Sequence, residues 1–420
     1  VSAAAPGILV VGAGVAGLSA ALHLIRAGQA VTVLDPSPPG TGGASFGNAG
    51  MISAAVVAPA SVPGIVRQLP RWLLDPSSPL AFRPTRLPGA LPWLLRWLAA
   101  GRLGRVRSIS AALHALHRDS FIEWRDLLGA AAADTLLRPS GQVLGMEAAA
   151  RPAAAALDRD LREAAGISSE LLDRPALEAL FPGLAPSVGR GLLLPGNGYC
   201  VNPGRLVGLL GDTIRREGGT ILPERVWALR PERDGWLATT ESGGHRAARA
   251  VVAAGAWSSA LLRPLGLRLP MEAERGYHAM LPDPSVALPM PISVRARGLG
   301  LAPMEHGLRA AGLVEIAGLD APPDFRRAER LVAGAQALFP GLRHGPPSLW
   351  MGPRPGLPDS LPVIGPLPRR QGLSLCTGHG HFGLTSGPVS GRLLAALLTG
   401  CPPPFDPQPY APSRFSGLRR

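Results

Sequence analysis

The chain of 420 residues contains no lysine: all 42 of its basic residues are arginine. That absence excludes a Schiff base, a lysine general base and a lysine ammonium beside a bound cofactor. Cysteine is scarce, with Cys200, Cys376 and Cys401 far apart. They make neither a C-x-x-C pair nor a metal-ligand spacing, so a disulfide framework and a zinc module are both excluded. No uninterrupted apolar run reaches the length of a membrane span. The apolar start lacks a basic leader and reads as a strand and helix, so no signal peptide is expected and a cytoplasmic location is. Acids are fewer than bases, 29 against 42, which leaves a net charge of +13. The arginines are spread along the chain and no nucleic-acid motif accompanies them, so nucleic acid is not an expected partner.

Glycine, alanine and proline are abundant, and the length predicts two domains. The most informative stretch is ILVVGAGVAGLSAALHLIRAGQAVTVLD at residues 8–35. An apolar run leads into Gly12, Gly14 and Gly17 in G-x-G-x-x-G spacing, then a periodic apolar stretch, then a second apolar run ending in Asp35. Gly12 permits the turn off the strand. Gly14 lets the backbone approach a pyrophosphate. Gly17 lets the helix pack close to the strand. The helix N-terminus then offers N–H groups and a positive dipole end to phosphate. Asp35, 18 residues past Gly17, is placed to accept hydrogen bonds from a ribose. The pattern predicts a dinucleotide site.

Beyond Asp35 lies a loop rich in small residues. Residues 62–107 then carry eight arginines against one acid, Asp75, with Trp72, Trp93 and Trp97. This stretch reads as short helices broken by proline. A single helix is expected over 108–128, and an alanine-rich one over 147–165. Pro203–Glu217 reads as an amphipathic helix. Strands are expected at 220–222, 226–230, 236–240 and 249–253, with a turn at 232–235. A helix at 325–337 and a strand at 373–376 followed by a helix to Leu398 complete the pattern.

Five later segments occur in order: ASFGNAGMI at 44–52, VVAAGAWS at 251–258, AERGYH at 273–278, GPRPGLPDSLPVIG at 352–365 and GHGHFGLT at 378–385. Together with the opening motif they resemble the D-amino-acid oxidase superfamily of flavoproteins, and within it the bacterial D-amino-acid dehydrogenases. The resemblance runs from Ile8 to Leu398. It implies an α/β fold: a Rossmann-type FAD-binding domain with a mixed α+β substrate domain. The expected FAD domain is discontinuous, at 1–60, 147–269 and 348–420. The expected substrate domain comprises 61–146 and 270–347.

The resemblance also implies site residues. FAD would meet Gly12, Gly14, Gly17 and Asp35, and then Ser45, Asn48, Ala49, Gly50 and Met51. Val226 would supply a backbone contact to adenine at the start of its strand. Ala254, Gly255 and Trp257 would lie at a strand end beside the cofactor. Gly352, Gly380, Gly383, Leu384 and Thr385 would complete the flavin contacts. Arg354 resembles the arginine that clamps a substrate carboxylate through two parallel hydrogen bonds. Tyr277 would face the flavin, and His379 and His381 would bond the ring or the substrate. No metal is expected.

The implied reaction is oxidation of a D-amino acid to the imino acid, which water hydrolyses to a 2-oxo acid and ammonia. Electrons would pass to a quinone or other acceptor. Oxidation of a cyclic or N-methyl amino acid such as D-proline, hydroxyproline or sarcosine is the rival activity. A non-catalytic flavin-binding subunit is the rival of another class. Monomeric sarcosine oxidases hold flavin through a cysteine near the segment matching Gly352 and use a lysine with dioxygen. This chain has neither residue, so the expectations are non-covalent FAD and a dehydrogenase. The arginine- and tryptophan-rich 62–107 segment suggests peripheral contact with an anionic membrane surface.

Overall fold

The computed structural model describes residues 7–75, 78–147 and 152–418. Its first strand, Ile8–Val11, is buried along its whole length. A run that apolar belongs in the middle of a parallel sheet covered on both faces. There it lies, between Val31–Leu34 and Arg249–Val252, with Val10 opposite both Val33 and Val251. The order of this six-stranded sheet is Thr220–Leu222, Val31–Leu34, Ile8–Val11, Arg249–Val252, Leu373–Thr377, Val363–Pro366. All its pairings are parallel except the last. The helix Val15–Arg26 packs on one face beside the C-terminal helix Gly383–Thr399, and their apolar sides share one core. A three-stranded meander, Ala228–Glu232, Gly235–Thr239 and Gly244–Ala247, covers part of the other face.

A second sheet has strands ordered Ser348–Gly356, Glu272–Leu281, Gly307–Ile316, Leu299–Met304, Ile292–Val294, Gln142–Glu147, Val188–Leu194, Glu170–Leu172, and Leu80–Phe82 also pairs with Gly307–Ile316. The helix Arg326–Leu338 packs on one face of this sheet. These pairings move two expected boundaries. Strands at 170–172 and 188–194 join this sheet, not the dinucleotide-type sheet, because they pair in series with Gln142–Glu147. Ser348–Gly356 is its edge strand, hydrogen-bonded to Glu272–Leu281.

Three local expectations also change. The helix expected over 108–128 is two, Leu103–His117 and Ser120–Leu128. The buried Ser120 hydroxyl takes the His117 carbonyl at the break. Val226 precedes its strand, which begins at Ala228. The alanine-rich helix is Pro152–Ala164, and the expected residues at 148–151 lie outside the described ones. Within 62–107 the tryptophans turn inward. Trp93 and Trp97 are buried and stacked at 6.1 Å, Trp72 meets Trp97 edge-on at 6.2 Å, and Trp93 Nε1–H donates to the Gly356 carbonyl at 3.1 Å. They form a core joining the helical insert to the edge of the second sheet.

Candidate active site

A single cleft of about 640 Å³ runs from the opening glycine motif to the edge of the second sheet. That is near the middle of the ~300–1,000 Å³ usual for small-molecule sites. At one end, Gly12, Gly14 and the first helical turn line it beside Asp35. The two glycines that hold this geometry do so by close approach. A Cβ on Gly12 would lie 2.4 Å from the Ala253 carbonyl oxygen, and one on Gly17 would lie 1.9 Å from the Gly12 carbonyl oxygen. Gly17 therefore lies behind the cavity wall, where helix meets strand. Asp35 accepts the N–H groups of Ala13 and Ser37, both at 2.8 Å. Burial raises its carboxyl above the ordinary value, with the two N–H bonds and Arg225 opposing. Ser45 Oγ accepts the Val15 N–H at 3.0 Å. Val226, with Arg225 and Trp227 beside it, lines the same end. Arg225 lies over the Trp227 ring at 5.1 Å.

The middle of the cleft is lined by Asn48, Ala49, Met51, Ala254, Gly255, Trp257, Gly352, Gly380, Gly383 and Leu384. Two expected residues stand off it. Gly50 packs against Met304 and the Cys200 carbonyl, and Thr385 Oγ1 accepts the Ser53 N–H at 3.0 Å. Both secure the 47–53 loop from behind. Arg309, buried and pushed down to about 10 by desolvation, holds the same loop through the Asn48 carbonyl.

The far end is built by alternation along two paired strands. Glu274 stands opposite Arg354, Gly276 opposite Gly352, and His278 opposite Trp350. Side chains on a strand alternate between faces. The Trp350 indole lies against Gly47 and Gly352, where a Cβ would come within 2.2 and 2.1 Å of it, and stacks on His278 at 4.9 Å. Burial lowers His278 to about 3, so Nδ1–H donates to the Gly47 carbonyl at 3.0 Å from a neutral ring. Arg354 lies over Gly276, whose added Cβ would be 2.0 Å from the guanidinium carbon. Desolvation lowers the guanidinium pKa, while Glu274 opposes that shift. Its one hydrogen bond among the described residues is to the Leu313 carbonyl, at 3.2 Å. A half-buried guanidinium with so few protein partners, lining the cleft, is placed to bind an anion.

The other parity of Glu272–Leu281 carries Arg275 and Tyr277, whose polar atoms are bonded away from the cleft. Tyr277 donates its hydroxyl to Glu315 at 2.7 Å and accepts the Asp324 N–H at 3.2 Å. Its ring borders the cleft, but its hydroxyl belongs to the core beneath and cannot serve the reacting centre. Arg275 is consumed by the carbonyls of Gly318, Leu319, Ala321 and Pro322. His379 lines the cleft, but its ring is bonded to Ser390 Oγ at 3.0 Å and burial lowers it to about 4. His381 lines the cleft with an accessible side chain, paired to Glu274 at 2.8 Å. Glu274 and Trp350 were missed by the sequence reading. The period of two, counted from Arg354 and across to its partner strand, was the signal that could have found them.

Residues 7–397 match the DAO family, described as FAD dependent oxidoreductase. The chain belongs to that family. It is 35% identical to a D-amino-acid oxidase of Bradyrhizobium diazoefficiens, over 97% of this chain and 98% of that one. It is 32% identical to a D-amino acid dehydrogenase of Agrobacterium fabrum, over 97% and 99%. Its fold is similar to that of glycine oxidase from Geobacillus kaustophilus, with a TM-score of 0.71, 21% identity and coverage of 96% and 97%.

As a member of this family the protein is an FAD-dependent oxidoreductase, and the cleft suits the cofactor. A helix N-terminus and Asp35 occupy one end, as phosphate and ribose require. Gly43, Gly255 and Gly380 line the cleft, and a side chain on any of them would project into open space that a flat ring system can use. Cys376 also lines it. Burial pushes its thiol up to about 12, so it stays protonated and makes no thiolate for a covalent flavin link.

Proposed function

We propose that the protein oxidises D-amino acids, with FAD held non-covalently between the opening helix and the Arg354 end of the cleft. The observation that carries this reading is Arg354: a half-buried guanidinium lining a cleft of cofactor size, whose one hydrogen bond among the described residues is to a carbonyl. A planar guanidinium binds a carboxylate through two parallel bonds and fixes its orientation. The names of the related oxidase and dehydrogenase support a D-amino acid as the carboxylate's owner.

Bound FAD supplies the acceptor for the Cα hydrogen, which leaves as hydride. The chain's own residues do the rest. Arg354 anchors the carboxylate. Trp350, wedged between Gly47 and Gly352, forms the wall beside it. The first helical turn and Asp35 fix the cofactor's far end. The work is positioning in a preformed site.

Anaerobic mixing with single D- and L-amino acids, D-proline and sarcosine tests the reading. Bleaching of the 450 nm band (roughly the usual oxidised-flavin maximum) by D-amino acids, and not their L-forms, is expected. A flavin that none of them bleaches overturns it.

The acceptor proposed is a quinone or similar carrier, because no lysine ammonium is available to assist dioxygen. Reduced enzyme is expected to react slowly with dioxygen and fast with a quinone in stopped flow; the reverse order sinks the point. A lipid surface is the source proposed for that quinone. The docking face is not buried Trp93 and Trp97 or half-buried Trp72, but exposed Val66, Leu91, Leu95 and Leu103 among Arg67, Arg96, Arg102 and Arg105. Among the described residues no helix is long and apolar enough to cross a membrane. Co-sedimentation with anionic but not neutral liposomes is expected, and no sedimentation with either removes the lipid surface.

A further inference from the structure

The wall of the cleft carries a titratable pair that a carboxylate clamp leaves unused: His381 lines the cavity and Glu274 is bonded to it. His381 Nε2 lies 2.8 Å from Glu274 Oε2. The Glu274 side chain is 10% exposed and that of His381 is 42%. The carboxylate is fixed, because it lies over Gly356, where a Cβ would be 2.2 Å from Oε1. An imidazole beside a carboxylate carries its proton on the facing nitrogen. Nε2–H therefore donates to Glu274, and Nδ1 keeps its lone pair. Among the described residues no protein group bonds Nδ1. Glu274 is also the direct cross-strand neighbour of Arg354. Arg354 and His381 both line the cleft, so a substrate held by its carboxylate on Arg354 lies in the same cavity as the accessible His381 ring.

We propose that the Glu274–His381 pair accepts the proton of the substrate ammonium, on the D-amino-acid reading given above. The N–H bond breaks and its electron pair stays on nitrogen. The proton bonds to His381 Nδ1, and the resulting imidazolium is held by the Glu274 carboxylate. The freed nitrogen pair is what loss of the Cα hydride requires. The proton later leaves to water from the accessible edge. Two charged or titratable groups lie on adjoining elements. Arg354 is on the neighbouring strand. His379, two residues away in the same loop, is neutral and committed to Ser390.

The test is anaerobic reduction of the holoenzyme by D-alanine from pH 6 to pH 10, for the wild type, His381→Gln and Glu274→Gln. Wild type is expected to reach its full rate near neutrality. His381→Gln should fall about 100-fold at pH 7 and recover at pH 10, where solvent removes the amine proton. Glu274→Gln should fall less at pH 7. Binding of benzoate, which has a carboxylate and no amine, should be unchanged in both, read from the flavin spectrum. Nitrogen NMR of histidine-labelled holoenzyme should show His381 protonated at Nε2, and Glu274→Gln should alter that signal. A wild-type pH profile in His381→Gln, or a loss that high pH does not restore, overturns the proposal while D-amino-acid oxidation stands. A wild type whose flavin no D-amino acid reduces overturns both.

Discussion

Replacing Gly276 by alanine should displace the Arg354 guanidinium without removing its charge. The added Cβ would lie 2.0 Å from Cζ and Nη2 of Arg354 and 2.4 Å from Nη1. Carbon contacts settle near ~3.5 Å, so the guanidinium must retreat by about 1.5 Å. Gly276 does not have a left-handed φ, so alanine adds no backbone strain. The atoms in the way are the far end of a flexible side chain, and stability should change by less than about 1 kcal/mol. Function should not be spared. A misplacement of ~1 Å costs about 100-fold in rate, or about 2.7 kcal/mol of transition-state stabilisation. The assay is anaerobic stopped-flow reduction by a D-amino acid, giving the second-order constant. The flavin-to-protein ratio and the melting temperature serve as controls. The constant should drop by about 100-fold with both controls unmoved. A normal constant in a flavin-replete variant would show that Arg354 does not hold the carboxylate.

Arg354→Ala should keep FAD and lose ~2–4 kcal/mol of catalytic efficiency with carboxylate substrates, measured in the same stopped-flow assay. Gly17→Ala forces a Cβ to within 1.9 Å of a backbone oxygen. Urea unfolding should show a loss of about 3 kcal/mol or more, with flavin content falling in parallel. Acid should destabilise the fold through its buried neutral histidines. His117 and His379 are lowered from 6.5 to about 4 and His278 to about 3, chiefly by desolvation. Below pH 6.5 the unfolded chain binds protons that these folded rings refuse, so stability falls as pH drops towards 4 and is complete above 6.5. Each ring contributes a loss of about 2 kcal/mol by pH 5, and His117→Phe should flatten the stability curve between pH 6.5 and pH 4. Acid precipitation should release FAD into the supernatant, since the Cys376 thiol remains protonated; flavin retained in the pellet would refute a non-covalent site.

Residues 8–35 specified their own structure, because each local feature there has one mechanical solution. Four buried apolar residues can only be an inner strand. Glycines 12 and 17 are needed where a helix crosses within touching distance of that strand, and Asp35 follows at the end of the next one. The small-residue loops at 42–51 and 378–384 were legible for the same reason: a backbone that must approach a flat ligand cannot carry side chains. Arg354 was legible through its proline-flanked segment. What the sequence did not determine was which neighbours the long-range pairings would bring. The strand at 188–194 joined the second sheet because its partner is 142–147, a fact about register across some 40 residues of intervening chain. Tyr277 and Glu274 differ by an odd number of positions on one strand, so only the pairing with 348–356 decided that the glutamate shares the face of Arg354 while the tyrosine hydroxyl reaches Glu315. The tryptophans of 62–107 read equally well as a membrane face or a core. Trp93 settled that by donating to a carbonyl 263 residues away, which is where burial of both its ring and its N–H could be satisfied.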